Sequence, residues 1–171
     1  NLELGIAFDG DADRLGVVDE KGRIVWGDML MLLYARDILR SNPGATFISE
    51  VKCSMNLYQG IEKLGGRAIM WKTGHSLIKA KMKQEKALLA GEMSGHMFFA
   101  DRFFGYDDAV YAAGRLLEIV ARSPRSISEM LADVPPSWAT PEIRVPCDDQ
   151  RKFQVVEKVK AHFRARYPII D

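Results

Sequence analysis

The sequence predicts an α/β fold: a mixed, substantially parallel sheet flanked by helices, with partial neighbouring units at both ends. Three observations carry this. Short apolar runs bounded by turn residues alternate with helical patterns between residues 27 and 135, which is the order of βα units. Lys52, His75, Glu92 and Ser94 each fall just after an expected strand, so four ligand-type side chains share the sheet edge where open α/β folds gather ligands. Four of the seven prolines stand at 135, 136, 141 and 146, a density that marks a linker.

Residues 4–8 and 15–18 are expected strands either side of an acidic loop, and Glu20-Lys21-Gly22 turns the chain into a third strand at 23–26. These 26 residues are too short to hold a core alone and read as the tail of a preceding unit. Asp28 is suited to cap a helix to about Arg40, whose buried side carries Leu30, Leu33, Tyr34 and Ile38; Asn42-Pro43-Gly44 stops it. A strand at 47–51 follows, then a helix capped by Ser54 that runs to Leu64 before Gly65-Gly66. Residues 68–71 and 88–90 are further strands, separated by a helix at 76–83 with Lys79, Lys81 and Lys83 on its wet side. Phe98, Phe99, Phe103 and Phe104 fit a core hairpin better than a sugar-stacking platform. Asp107 or Asp108 caps a helix to about Arg122, with Val110, Ala113, Leu117 and Val120 on its apolar face, and residues 126–131 form a short helix. Past the prolines, 143–145 should be the first strand and 150–166 the first helix of a new unit.

Composition sets bounds. With 171 residues, 47% apolar and 27% charged, the chain is ordinary globular material, and a formal net charge of +1 gives no electrostatic case for nucleic acid or a membrane surface as partner. Cys53 and Cys147 have no metal-type spacing and read as reduced thiols. No apolar run reaches the roughly 20 residues of a membrane span, and no targeting pattern opens the chain. A cytoplasmic protein is expected. The start at Asn1, one strand ahead of a functional loop, reads as an excerpt of a longer chain.

The densest chemistry is Phe8-Asp9-Gly10-Asp11-Ala12-Asp13-Arg14. In an extended loop Asp9, Asp11 and Asp13 would point to one side, three hard oxygen donors suited to magnesium, calcium or manganese. Arg14 adds a guanidinium fork for phosphate or carboxylate. A solvated acidic turn is the bland alternative. An EF-hand would use Asp9, Asp11, Asp13 and Glu20, but its sixth position needs Gly and here is Arg14. An aspartate-nucleophile phosphatase would use Asp9, with Asp107-Asp108 as a later acidic pair, but has a small turn where Asp13 and Arg14 stand. A stand-alone metal-binding or sugar-binding module also remains open. Of the three histidines, His75 and His96 follow glycines in loops and read as functional, whereas His162 reads as surface. Glu92 and Ser94, two apart, can face the same way and hold adjacent hydroxyls of one sugar. Ser76 beside His75 reads as a helix cap, not a nucleophile.

Taken together, Asp9 to Arg14, Lys72-Thr73-Gly74-His75-Ser76 and Gly91-Glu92-Met93-Ser94-Gly95-His96 resemble the α-D-phosphohexomutase superfamily, most closely its bacterial phosphomannomutase/phosphoglucomutase branch. The resemblance covers nearly the whole chain, with the motifs in the family's order. Ala12 sits at a variable place, and Glu50 stands where many relatives carry Asp. The resemblance implies reversible interconversion of hexose 1-phosphate and hexose 6-phosphate, mannose or glucose, through a phosphoserine, Mg2+ and a hexose 1,6-bisphosphate intermediate. Carried over by motif, Asp9, Asp11 and Asp13 would bind Mg2+ and Arg14 the phosphoserine phosphate. Glu92 and Ser94 would hold sugar hydroxyls, Lys52 and His75 would contact substrate, and His96 would move a proton, with His75 and Arg14 also in the catalytic group. No Ser-His-Asn-Pro-like segment and no loop for the far phosphate occur in these residues. The resemblance therefore implies the end of a second domain (1–26), a complete third domain of the phosphohexomutase type (27–135), and a linker with the start of a fourth (136–171). Such a chain is expected to be inactive alone, its partners being a phosphorylated hexose and the remaining domains of the parent enzyme.

Overall fold

The structure is a computed structural model that describes residues 2–138, 140 and 143–167. The described residues fall into two units, divided after Ser137. The first opens with β1 (Leu4–Phe8), β2 (Leu15–Asp19) and β3 (Ile24–Val25), an antiparallel sheet in that order with Phe8 opposite Leu15 and Val17 opposite Val25. There follow α1 (Gly27–Ser41), β4 (Thr46–Glu50), α2 (Met55–Lys63), β5 (Arg67–Trp71), α3 (His75–Glu85), β6 (Leu89–Gly91), β7 (Met97–Phe99), α4 (Ala109–Ala121) and the short α5 (Ile127–Met130).

Strands β4 to β7 form the second sheet, ordered β5-β4-β6-β7, with β5, β4 and β6 parallel and β7 antiparallel to β6. The chain steps from β4 to β5 on one side and then back across β4 to β6. Right-handed crossovers in opposite directions put their helices on opposite faces. Strand side chains obey this with period two. Phe47, Leu89, Met97 and Phe99 join the core shared with α1, α2 and α4, while Ile48, Ala90 and Phe98 face Ile78 and Met82 of α3. The result is a three-layer α/β/α unit, as the alternation of elements predicts.

In the first unit β2 alternates so that Leu15 and Val17 point inward, and with Val25 they join the core of α1 and α4. Burial of such side chains is worth about 1.5–3 kcal/mol each, which holds the small sheet on the unit. Asp28 does not cap α1, because the helix starts at Gly27, where a Cβ would lie 2.4 Å from the Glu92 carbonyl oxygen. Instead Asp28 lies buried in the first turn, and its Oδ2 accepts from the Ser54 N–H at 3.1 Å, so the start of α2 is served by a residue of α1. The Ser54 hydroxyl makes no cap bond.

Helix α4 is capped as expected, with Asp108 accepting from the Tyr111 N–H at 2.8 Å, but its buried side is Ala109, Ala112, Ala113, Arg115 and Leu116, and the expected face residues Val110 and Leu117 are exposed; α5 carries a full capping box between Ser126 and Glu129. Across the core the Tyr34 hydroxyl donates to the Ala112 carbonyl at 2.8 Å and ties α1 to α4.

In the second unit α6 (Lys152–Arg164) forms where a helix is expected. Residues 143–145 carry no strand; a strand needs a ladder partner, and the described residues of this unit offer none. Phe153, Val156, Val159 and Phe163 leave the helix with an exposed apolar side. Among the described residues no helix is long and apolar enough to cross a membrane.

Candidate functional site

The acidic loop between β1 and β2 is not extended. Ala12 takes a left-handed φ of 57°, and its N–H donates to the Asp9 carbonyl at 3.2 Å, so a tight turn, not strand alternation, gathers the acids. One carboxylate oxygen from each of Asp9, Asp11 and Asp13 lies within 4.8 Å of the others. Arg14 answers part of this charge: its N–H donates to Asp9 Oδ1 at 3.1 Å and its Nε to Asp9 Oδ2 at 2.5 Å, with Asp13 Oδ1 3.6 Å from the same Nε. Partial burial pushes the Asp9 carboxyl up, but the Arg14 amide and guanidinium outweigh it and hold it below the usual carboxylate range. Asp13 Oδ1 is buried with no hydrogen-bond partner. An open buried oxygen within a set of hard donors fits a divalent cation of the magnesium type. Arg14 holds both oxygens of Asp9, each of which keeps a further lone pair for a cation. Glu20 turns away from the loop to Ser126 and Ser128, so the EF-hand reading has no twelfth ligand.

The second part is the turn after β6. The Glu92 N–H donates to the His96 carbonyl at 3.0 Å and Gly95 N–H to the Glu92 carbonyl at 3.1 Å. Glu92 is buried; its Oε1 accepts from the Gly74 N–H at 3.0 Å, and its Oε2 lies 2.7 Å from His96 Nδ1 and 3.4 Å from Ser94 Oγ. The buried carboxylate thus positions the neighbouring groups. His96 Nε2 stands 3.3 Å from Asp13 Oδ2, which completes a chain Glu92–His96–Asp13 between the two loops.

Gly95 makes this junction possible. Its φ is +101°, its carbonyl accepts from the Leu15 N–H at 3.1 Å, and a Cβ there would lie 2.5 Å from the Leu15 oxygen. Arg14 and His96 pair as an antiparallel bridge at the same point.

The other expected residues stand around this pair of loops. The His75 ring lies 6.2 Å from that of His96, nearly parallel, and His75 Nδ1 is 3.9 Å from Asp107 Oδ2. Helix α3 begins at His75 with Gly74 as its cap, so Ser76 is not the cap residue. Among the described residues Lys52 touches the constellation only through Glu50, whose Oε2 is 3.4 Å from the Lys52 ammonium and whose Oε1 accepts from the Met93 N–H at 2.8 Å.

Sequence reasoning missed Lys79. It is not on a wet side: its ammonium pairs with Asp107 Oδ1 at 3.1 Å and lies 5.9 Å from the Phe98 ring centre. Lys81 is likewise drawn inward, 4.5 Å from the Trp71 ring and paired with Glu85 at 2.7 Å. Burial raises the Asp107 carboxyl, but Lys79 and its own backbone outweigh that and keep it low. The signal was present in the Asp107-Asp108 pair: Asp108 is occupied by capping, which leaves Asp107 for the site.

The family described as phosphoglucomutase/phosphomannomutase, alpha/beta/alpha domain III, matches residues 26–138. A phosphomannomutase/phosphoglucomutase of Pseudomonas putida is 51% identical over 158 residues, 92% of this chain and 34% of its own length. A phosphoglucomutase of Neisseria gonorrhoeae is 49% identical over 173 residues, 99% of this chain and 37% of its own. Among solved structures, a phosphoglucomutase/phosphomannomutase family protein of Burkholderia thailandensis superposes with a TM-score of 0.84 at 46% identity, covering 93% of this chain and 33% of that one. The chain spans about a third of the length of the curated relatives it matches.

Proposed function

Because the chain belongs to the phosphoglucomutase/phosphomannomutase family, we propose that it is the part of a phosphohexomutase that holds the metal and reads the sugar while hexose 1-phosphate and hexose 6-phosphate interconvert. The observation that supports this most is the junction of the two loops: an acidic cluster with an open buried oxygen lies one histidine away from the Glu92–Ser94 pair.

In this reading Asp9, Asp11 and Asp13 hold Mg2+, which when bound neutralises charge on the phosphoryl oxygens. Arg14, set by Asp9, turns its guanidinium to the phosphoserine phosphate. Glu92 and Ser94 accept and donate to adjacent sugar hydroxyls, and Lys52 and His75 contact the substrate. His96 Nδ1 is held by Glu92, which leaves Nε2 as the atom that exchanges a proton on the side of Asp13. The phosphoserine and the loop for the far phosphate belong to the parent's remaining domains. Residues 1–26 close its second domain, 27–135 form its third, and 136–171 lead into its fourth. The hexose is mannose or glucose, the bisphosphorylated sugar is the intermediate, and the enzyme works in the cytoplasm, where Cys53 and Cys147 stay reduced.

The test is Glu92→Gln in the full-length parent. Loss of a charged hydrogen-bond partner costs about 1–3 kcal/mol, so catalytic efficiency toward glucose 1-phosphate should fall by about tenfold or more, while binding of inorganic phosphate barely changes. An equal loss for both ligands would refute the sugar-reading role.

A further inference from the structure

Glu50 is wholly buried at the carboxyl end of β4, yet only one of its carboxyl oxygens is hydrogen-bonded. Oε1 accepts from the Met93 N–H at 2.8 Å, inside the turn that carries Glu92 and Ser94. Oε2 has no hydrogen-bond partner and faces the Lys52 ammonium at 3.4 Å. A buried carboxyl group with an open oxygen costs stability.

The backbone beneath it is tightly set. The Glu50 carbonyl accepts from the Tyr58 hydroxyl at 2.9 Å and from the Cys53 N–H at 3.0 Å, and Ser49 Oγ donates to the same hydroxyl at 2.8 Å. Lys52 itself is half exposed and makes no hydrogen bond among the described residues. Its ammonium is therefore steered by charge attraction without spending its N–H donors, which stay available to a ligand.

We propose that Glu50 is a positioning residue that couples the loop after β4 to the turn after β6. One carboxyl group orients the Lys52 ammonium and, through the Met93 amide, fixes the Glu92–Ser94 pair, so that charge recognition and hydroxyl recognition of one hexose phosphate stay in register. The inference rests on the reading that Lys52 and Glu92 contact that substrate.

Glu50→Gln separates the two tasks, since an amide oxygen still accepts from Met93 but carries no charge toward Lys52. In the full-length parent, assayed with glucose 1-phosphate and glucose 1,6-bisphosphate as activator, this variant should raise KM about tenfold with kcat changed far less and no loss of Tm. Made on a Lys52→Met background, the same substitution should change KM less than about twofold, because the partner is gone. An equal factor in both backgrounds, or an unchanged KM in Glu50→Gln while Lys52→Met raises it, would overturn the proposal. A wild-type KM in Lys52→Met would overturn the underlying reading of Lys52 and the inference with it.

Discussion

Glu20 occupies the place of an EF-hand's last ligand, but its carboxylate serves the start of α5. Ser128 and Ser126 donate their hydroxyls to Oε1 and the Ser128 N–H reaches Oε2 at 3.3 Å. The Ser128 hydroxyl is the largest of the influences that lower its pKa from 4.5 to about 2. A depressed carboxyl contributes stability that is full above the unfolded value and is lost as pH falls through the folded one. Wild type and Glu20→Gln should therefore differ in urea midpoint at pH 7, with the gap closing between pH 4.5 and about 2. A gap that stays constant down to pH 2 would remove the carboxylate from this role. The same scale shows what a sequence conceals. The acidic cluster of Asp9, Asp11 and Asp13 is legible because charge is concentrated there, but that a turn at Ala12 gathers them is a backbone fact with no residue-type signal. Lys79 looked like a solvated lysine because helical periodicity places a side chain on a face without saying what Asp107 brings to it.

At the scale of elements, the strands and helices were largely legible, since period-two and helical patterns follow directly from which side must be buried. Starts were less so: Trp26 and Gly74 precede α1 and α3 where polar caps were expected, and at α1 the first residue is Gly27 because a Cβ there would meet the Glu92 carbonyl. Gly95 is the sharpest case. It could be read as a turn residue, whereas its contact with Leu15 exists only once β2 lies beside the turn after β6. Gly95→Ala would force a side chain into a φ of +101° and against the Leu15 carbonyl. A loss of about 2 kcal/mol or more is expected in denaturant unfolding, together with loss of turnover in the parent enzyme. Wild-type stability in this variant would show that the two loops are not locked as described.

At the scale of the whole molecule, residues 1–26 carry half of the proposed site on a small sheet that depends on the core of α1 and α4. The sequence could not show this dependence, because Leu15, Val17 and Val25 look like strand residues whatever they pack against. In the second unit α6 leaves an apolar side exposed, and the expected strand at 143–145 has no ladder among the described residues. We expect the 171-residue chain alone to give no mutase turnover with glucose 1-phosphate and a bisphosphate activator, and to bind magnesium weakly in calorimetry. Turnover equal to that of a full-length mutase would contradict the assignment of the phosphoserine to another part of the parent.

The central claim is that the acidic loop is a magnesium site working together with the turn that reads the sugar. It is tested most directly by the turnover of the full-length parent, measured as a function of magnesium concentration for wild type and Asp11→Asn. Outer-shell changes around metals already cost about 10–100-fold, so loss of a direct ligand should cut turnover at least that far and move half-saturation to higher magnesium. An Asp11→Asn enzyme that runs at the wild-type rate with unchanged magnesium dependence would contradict the account.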